Sequence, residues 1–305
     1  MNIRHLQIFI SVCDHDNNIT QAAKALFMSQ PSVSQAIREL ESYYGVQLFD
    51  RMSRRLYLTA AGEEFREYAL RLTGLYDDME RRFKNWDGSG AIRIGASMTI
   101  GASMMPSLIS AYREMHPDTQ VRVTIQPSRI LQQKLITNEL DLALVETQIH
   151  SSVLQEKMFH EDVLCVIAPP SWSREQLCEM SVDDFARQCF LLREQGSGSR
   201  EIFERVMKTA ELSVIPVWEA ESTTALIHAV AQGMGISVLP RLLVQDAVQK
   251  GDVKEMKVQG LKFDQNFYIV HHQDKLITGL IRDFMQLAFF MSTKNRIHDI
   301  VLSTL

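Results

Sequence analysis

The 305-residue chain is short of most features that would announce a metalloprotein, a secreted scaffold or a membrane protein. It has four cysteines, Cys13, Cys165, Cys178 and Cys189, and no pair has the Cys-x-x-Cys spacing of a zinc ribbon or redox motif, so reduced and mostly buried thiols are expected. No stretch reaches the roughly 18 uninterrupted apolar residues of a spanning helix. The opening Met1-Asn2-Ile3-Arg4-His5 lacks the basic and apolar regions of a secretion signal, so the expected compartment is the cytoplasm, with no membrane partner. Surplus positive charge is also missing. With 32 Lys and Arg against 37 Asp and Glu, the net charge is -5, and any contact with nucleic acid must be concentrated in a few residues.

Catalytic signatures are equally scarce. There is no Gly-x-Ser-x-Gly, His-Glu-x-x-His or Gly-x-Gly-x-x-Gly, so neither a cofactor nor a metal is expected and the chain does not read as an enzyme. His271 and His272 are adjacent and face opposite sides of a strand, which suits structural roles better than one shared metal. The fifteen methionines read mostly as core gap-fillers. What is present, 46% hydrophobic and 23% charged residues, suits a globular chain of two or three domains.

Residues 1–58 read as a compact helical unit. Leu6, Phe9, Ile10 and Cys13 recur at helical spacing, and a second helix follows at Thr20-Gln21-Ala22-Ala23-Lys24-Ala25-Leu26, with Thr20 as its expected N-cap. Ala22 and Ala23 are small enough for another helix to cross at close range, as a helix-turn-helix requires. Ser29 can cap a third helix with Pro31 in its first turn. In that helix Val33, Ile37 and Leu40 make the buried stripe, whereas Gln30, Ser34, Gln35 and Arg38 are expected to face outward. Amide, hydroxyl and guanidinium groups can read base edges in a major groove. An ordinary solvated face has the same composition, and the next segment favours the DNA reading. Gly45 to Phe49, then Asp50-Arg51-Met52-Ser53-Arg54-Arg55 and Leu56-Tyr57-Leu58, read as a β wing whose Arg51, Arg54 and Arg55 can clamp phosphates. Residues 1–58 carry a net charge of only +1, so the charge is placed rather than abundant.

Thr59 can cap a long helix from Ala60 to about Trp86. Phe65, Ala69, Leu72, Tyr76, Met79, Phe83 and Trp86 recur on it as a heptad seam. A rod on the order of 40 Å is long for a helix serving only its own core, so the seam reads as a dimerisation surface spanning residues 59–87. Asp87-Gly88-Ser89-Gly90 then marks a linker. From Ala91 strands and helices alternate: a strand at 91–96, a helix at 97–116, a strand at 120–125, a helix at 128–138 and a strand at 140–145. That order reads as a parallel α/β sheet. The pattern resumes at 163–168, passes through helices near 182–187, 200–209 and 222–233 and strands near 189–192, 215–219 and 236–239, and ends in a strand at 267–271 and a helix at 277–291. About 215 residues of this kind suit two α/β lobes with a cleft between them.

The run T-Q-A-A-K-A-L-F-M-S-Q-P-S-V-S-Q-A-I-R-E-L-E from Thr20 to Glu41 resembles the helix-turn-helix of LysR-type transcriptional regulators. G-V-Q-L-F-D-R and L-T-A-A-G (Leu58 to Gly62) are similar to that family's wing and linker-helix entry. D-L-A-L-V-E (Asp141 to Glu146), R-E-Q-G-S-G-S-R (Arg193 to Arg200) and A-Q-G-M-G-I-S-V-L-P (Ala231 to Pro240) sit where the family's effector domain carries similar strings. With F-Y-I-V-H-H (Phe267 to His272), the effector half most resembles the branch that regulates sulfur assimilation and carbon fixation.

The resemblance implies an all-α winged helix-turn-helix with a long linker helix, followed by an effector domain like the type 2 periplasmic binding proteins. Lobe I would comprise residues 91–162 and 269–305, and lobe II residues 163–268, with crossover strands near 162–168 and 263–270 as the hinge. It further implies a homodimer or a homotetramer built as a dimer of dimers, binding double-stranded promoter DNA in the bacterial nucleoid and meeting RNA polymerase there. Thr20, Gln21, Gln30, Pro31, Ser32, Ser34, Gln35 and Arg38, with the wing arginines, are the implied DNA-binding set.

In open α/β sheets ligands bind beyond the carboxyl ends of strands, where helix N-termini present free N–H groups. Three segments fit: Ser97-Met98-Thr99, Pro127-Ser128 and Gln195-Gly196-Ser197-Gly198-Ser199-Arg200. Hydroxyls there suit a small anionic effector such as a carboxylate, sulfite, sulfate or phosphate. The family places effector contacts at the first two. No Lys-Ser or Lys-Thr follows the glycines of the third, so it is not a P-loop, and a plain N-cap turn is its other reading. Ser222 can cap its helix and face the cleft, and Glu146 can either repel anions or pair with Arg200. Two other functions stay open: a cytoplasmic solute-binding α/β protein, and a ligand-independent regulator with a vestigial cleft.

Overall fold

The structure, a computed structural model, describes residues 1–52, 55–84, 90–146, 151–173 and 180–303; for 51, 52, 55, 78, 81, 82, 84 and 294–303 it describes the backbone alone. Ser53, Arg54, Trp86 and Cys178 lie outside the described residues. The chain divides into two compact units, Met1–Gly88 and Ser89–Leu305.

In the first unit, α1 (Ile3–Asp14) starts at Asn2, whose Oδ1 accepts the His5 N–H. Helix α2 (Ile19–Ala25) starts at Asn18 and not at Thr20 as expected: Asn18 Oδ1 accepts the N–H groups of both Thr20 and Gln21, which places Thr20 inside the helix. Asn caps at least as well as Thr. Ser29 does cap α3 (Gln30–Tyr44), with Pro31 in its first turn, and the helix ends at Gly45 with φ +70°. Val33, Ile37 and Leu40 are buried against Phe9, Val12, Ala22 and Ala23. The wing is an antiparallel hairpin of β1 (Phe49–Met52) and β2 (Arg55–Leu58).

Helix α4 (Ala60–Lys84) is capped by Thr59, whose Oγ1 accepts the Gly62 N–H at 2.9 Å and donates to the Gln47 carbonyl at 2.7 Å. A Cβ at Gly62 would stand 2.1 Å from the Leu48 carbonyl oxygen, so the helix entry needs glycine there. The heptad seam is divided. Phe65 and Ala69 turn inward, Phe65 meeting Phe9 edge-on at 4.9 Å, so Phe65 is core in this unit and not a free dimerisation residue. Leu72, Tyr76, Met79 and Phe83 are exposed.

The second unit begins with β3 (Ala91–Ala96), α5 (Met98–Ser103) and α6 (Met105–Met115). One helix was expected over 97–116; Pro106 has no N–H to continue the ladder, and the chain breaks into two helices at Met104. There follow β4 (Gln120–Ile125), α7 (Ser128–Ile136), β5 (Leu142–Val145) and the 15-residue β6 (Leu154–Ala168). Then come α8 (Val182–Ala186), β7 (Leu191–Arg193), α9 (Gly198–Thr209), β8 (Trp218–Ala220), α10 (Thr223–Ala231), β9 (Ser237–Pro240), α11 (Arg241–Lys250), β10 (Lys254–Met256), β11 (Asp264–His272) and α12 (Gly279–Ser303).

The main sheet runs β10-β6-β11-β5-β3-β4, with β9 also on β6. It is mixed, which corrects the expected parallel sheet: β3 is parallel to β4 and β5, but β11 is antiparallel to β5 and β6. The reason is the crossover. Residues 154–163 of β6 pair with β11, and residues 164–168 with β9 and β10, so one strand serves two sheets. Two cores flank it. One gathers Ile92, Ile94, Leu142, Leu144, Phe267 and Phe284; the other gathers Leu164, Val166, Phe185, Phe190, Phe203 and Val238.

At the mouth of β5, Asp141 Oδ1 accepts from Arg93 Nη2 at 2.6 Å and from Lys275 Nζ at 2.7 Å, while Oδ2 accepts the Arg93 backbone N–H. Burial raises the thiols of Cys13 and Cys165 to about 12. Cys189 is exposed, against expectation. So are Met98, Met115, Met158 and Met234, which are therefore not gap-fillers. Among the described residues no group of His, Cys, Asp and Glu could hold a metal ion, and no helix is long and apolar enough to cross a membrane.

Candidate functional site

Two sets of polar residues, one in each unit, stand out. On α3, Gln30, Pro31, Ser32, Gln35 and Arg38 are exposed, as are Thr20 and Gln21 on α2. Ser34 is not: at 8% exposure it sits at the flank of the Val33-Ile37 stripe, one position from Val33 and three from Ile37, and packing covers it. The exposed polar side chains are already joined. Arg38 Nη2 donates to Gln35 Oε1 at 2.9 Å, and Gln35 Nε2 donates to Glu39 Oε1 at 3.0 Å. Arg51 and Arg55 lie on the paired strands of the wing, opposite Leu56 and Met52, with side chains outside the description, and Arg54 lies outside the described residues. One surface residue was missed: Phe27, in the turn between α2 and α3, is 98% exposed and has φ +52°. The signal was there, since a bulky aromatic so close before a capping serine has little core to join.

In the second unit, Ser97, Thr99, Glu146 and Gln265 come together from β3, α5, the end of β5 and β11. Ser97 Oγ donates to Glu146 Oε1 at 2.8 Å, the Thr99 backbone N–H donates to the same oxygen at 3.0 Å, and Gln265 Nε2 approaches Glu146 Oε2 at 3.4 Å. Glu146 therefore neither stands as a bare repelling charge nor pairs with Arg200. The donors expected to hold an external oxyanion hold this carboxylate instead. All four residues are buried, and Thr99 Oγ1 and Gln265 Oε1 have no hydrogen-bond partner. Met98 is exposed beside them, and Ser128 is buried at the start of α7.

Helix α9 packs against β11 and brings the serine-glycine turn. Ser197 Oγ accepts the Arg200 N–H at 3.2 Å, so the plain N-cap reading holds for Ser197. Ser222 likewise accepts from the Ala225 N–H and is exposed, which capping alone accounts for. Ser199 is different: it is 1% exposed, and its Oγ has no partner. Gln195 and Gly196 are exposed, Gly196 with φ +84°. The Arg200 guanidinium donates to Glu204 at 2.6 Å and to the Arg193 carbonyl at 3.1 Å. Gln265 was missed because it lies in the polar opening Asp264-Gln265-Asn266 of β11, ahead of the expected strand at 267–271, where a glutamine gives no local sign of the site it faces.

The family comparisons divide the chain in the same way, into a helix-turn-helix part and an α/β part. Residues 3–63 match the bacterial regulatory helix-turn-helix protein, lysR family, and residues 87–289 match the LysR substrate binding domain. The chain belongs to the LysR family of transcriptional regulators. It is 32% identical over 289 residues to the transcriptional regulator YeiE of Escherichia coli K12, covering 93% of this chain and 96% of that one. It is 27% identical over 300 residues to the RuBisCO operon transcriptional regulator of Allochromatium vinosum, covering 98% of each. The regulator is also 26% identical to CysL of Bacillus subtilis over 87% of this chain and 89% of that one. These relatives agree with the sulfur and carbon-fixation branch. A full-length OxyR variant from Pseudomonas aeruginosa shares the fold at TM-score 0.62 and 21% identity, over 95% and 96% of the two chains. The regulatory domain of Synechocystis CcmR, solved with 2-PG, does so at TM-score 0.62 and 20% identity, over 67% of this chain and 98% of that one. The regulator thus combines a DNA-binding unit with an effector-binding domain.

Proposed function

We propose that this LysR-type regulator binds promoter DNA through Gln30, Gln35 and Arg38 of α3, with Thr20, Gln21 and Ser32 beside them and the wing arginines on phosphates. It would act as a homodimer or homotetramer in the cytoplasm, on the nucleoid, through contacts with RNA polymerase. The effector would be a small polar metabolite lodged among Ser97, Met98, Thr99 and Ser128 on one side and Gln195 to Ser199 on the other. The observation that carries this reading is a set of buried, unpartnered groups: Thr99 Oγ1 and Gln265 Oε1 beside Glu146, and Ser199 Oγ in the first turn of α9. Buried hydroxyls without a partner cost roughly 1–3 kcal/mol each, so a ligand that supplies the missing bonds binds with that gain.

Glu146 refines the class. A fully ionised anion would have to displace a carboxylate that already holds two donors. An effector that is itself a donor, such as a hydrogen-bearing oxyanion or a hydroxy acid, can bond Glu146 in place. The CcmR domain with 2-PG and the QuiR domain with shikimate are structural neighbours whose ligands are both small and oxygen-rich.

Thermal melting of the full chain against sulfite, sulfate, thiosulfate, phosphate, sugar phosphates and carboxylates tests the reading. A native-state ligand at a hundredfold excess over Kd adds about 2.7 kcal/mol of stability. The expected result is a shift with one class that Thr99→Val and Ser199→Ala abolish. Glu146 also favours one rival. If the carboxylate acts as a permanent internal ligand, the regulator needs no effector, and no member of the panel will raise the Tm.

A further inference from the structure

The reading helix is tied to the N-terminus by a chain of hydrogen bonds that ends on two of the DNA-binding residues, Gln35 and Arg38. The Asn2 side chain caps α1, and its Oδ1 accepts the His5 backbone N–H at 3.2 Å. Capping fixes the amide, because only the oxygen end can accept from a backbone N–H. The same oxygen lies 2.7 Å from His5 Nδ1, and His5 Nε2 lies 2.9 Å from Glu39 Oε2. Both ring nitrogens therefore face atoms that only accept. An imidazolium donates to both at once, whereas a neutral ring has one N–H and must give up one of the two bonds.

Glu39 continues the chain. Its other oxygen, Oε1, accepts from Gln35 Nε2 at 3.0 Å, which turns Gln35 Oε1 towards Arg38 Nη2 at 2.9 Å. A free glutamine amide presents either end to a base edge, so an amide fixed in one orientation offers a single donor-acceptor pattern. Ordering that side chain before DNA arrives removes an entropy cost from binding. Hydrogen bonds from His5 and then Gln35 hold the exposed Glu39 carboxyl below the ordinary range, as a carboxylate kept in the accepting state requires.

We propose that His5 is a positioning residue for DNA reading: bridged between Asn2 and Glu39, it fixes through Glu39 the orientation in which Gln35 and Arg38 meet base edges, and this makes sequence discrimination depend on pH. The inference rests on Gln35 and Arg38 reading bases, as set out above. The charged and titratable groups around the ring are few. Glu39, Arg38 and Tyr43 of α3 line the same hollow as Met1, whose terminal amine also acts on Glu39. On α2, Lys24 forms no hydrogen bond or ion pair with the ring, and Arg66 of α4 pairs with Asp14 at the far end of α1. Arg4, beside His5 in sequence, is directed to Met28 Sδ at 3.6 Å.

The test uses the full-length protein. A preferred duplex is selected from a random-sequence pool at about pH 6, and its affinity is compared with that of random duplex at about pH 6 and about pH 8. The wild-type ratio should fall about fivefold or more at the higher pH, the low end of what one base-reading pair is worth. His5→Ala and Glu39→Gln should show the reduced ratio at both pH values with affinity for random duplex unchanged. Glu39 is exposed, so the second variant keeps the fold if the first does not. Wild-type ratios and pH profiles in both variants overturn the proposal while leaving Gln35 and Arg38 as readers. Failure to select any preferred duplex removes those reading roles, and the proposal falls with them.

Discussion

Ser97 Oγ donates to Glu146 Oε1 at 2.8 Å across 49 positions of sequence, and the Thr99 N–H shares that acceptor. The carboxylate occupies the donors that an incoming anion would use. Glu146→Gln leaves the packing in place but removes the charge, and hydrogen bonds to charged groups are worth about 1.5–3 kcal/mol. The amide oxygen still accepts neutral hydrogen bonds worth about 0.5–1.5 kcal/mol, so the variant should lose roughly 1 kcal/mol of stability in denaturant unfolding. It should also bind divalent oxyanions more tightly by isothermal titration. A variant as stable as wild type, with unchanged affinities, would show that Glu146 carries no weight in the pocket.

Phe27 adopts φ +52°, a conformation costing a non-glycine residue roughly 1–2 kcal/mol that asparagine tolerates better. Its ring makes up little of this in the isolated chain, being almost wholly exposed. Phe27→Asn should raise the thermal stability of the N-terminal unit by about 1 kcal/mol. If the ring packs on DNA, the same variant should weaken duplex binding, measured by fluorescence anisotropy. Gain of stability with no loss of binding would leave the ring without a part in DNA binding.

The exposed half of the α4 seam predicts self-association. Leu72, Tyr76, Met79 and Phe83 repeat at four-, three- and four-residue intervals, and a face of that kind is stabilised by burying roughly 1.5–3 kcal/mol per large side chain. Leu72→Asp with Phe83→Asp should lower the mass seen by sedimentation equilibrium and leave the circular dichroism spectrum unaltered. Phe65→Asp should instead unfold the N-terminal unit, because that ring is packed against Phe9.

Asp141 sets an acid limit. Burial opposes its ionisation, but the hydrogen bond from Arg93 and the charges of Lys275 and Arg93 outweigh this and hold the carboxyl below its ordinary value. A group whose folded pKa is depressed stabilises above the unfolded value, near 3.9, and loses that contribution as pH falls through the folded value. The Tm should therefore begin to drop below about pH 4. Asp141→Asn should be less stable at neutral pH, with a flatter acid limb.

Much of this molecule was legible because its local signals agree with each other. Ser29, Pro31 and Gly45 bracket α3, Thr59 and Gly62 start α4, and the apolar runs at 91–96 and 142–145 became buried strands. What could not be read depends on distant partners. The heptad period of α4 is continuous, but only the fold decides that Phe65 meets Phe9 while Phe83 meets solvent. The antiparallel β11 follows from where the chain recrosses, which no window of sequence records. Helix α11 and strand β10 were not expected, although Leu242, Leu243, Val244, Ala247 and Val248 have helical spacing; Pro240 resembles an ending, and it stands at the N-cap of α11. In the pocket, serines and threonine were readable as candidates, and the choice of Glu146 as their partner was not.

Strand β6 is laddered to β11 along residues 154–163, with one register shift at Phe159, and to β9 and β10 along 164–168. Such a connection behaves as a torsion bar. Sliding it by one residue would turn every inward side chain outward, so register resists translation while twist stays soft. A rearrangement around Glu146 and Gln265 would then be passed along the strand chiefly as rotation.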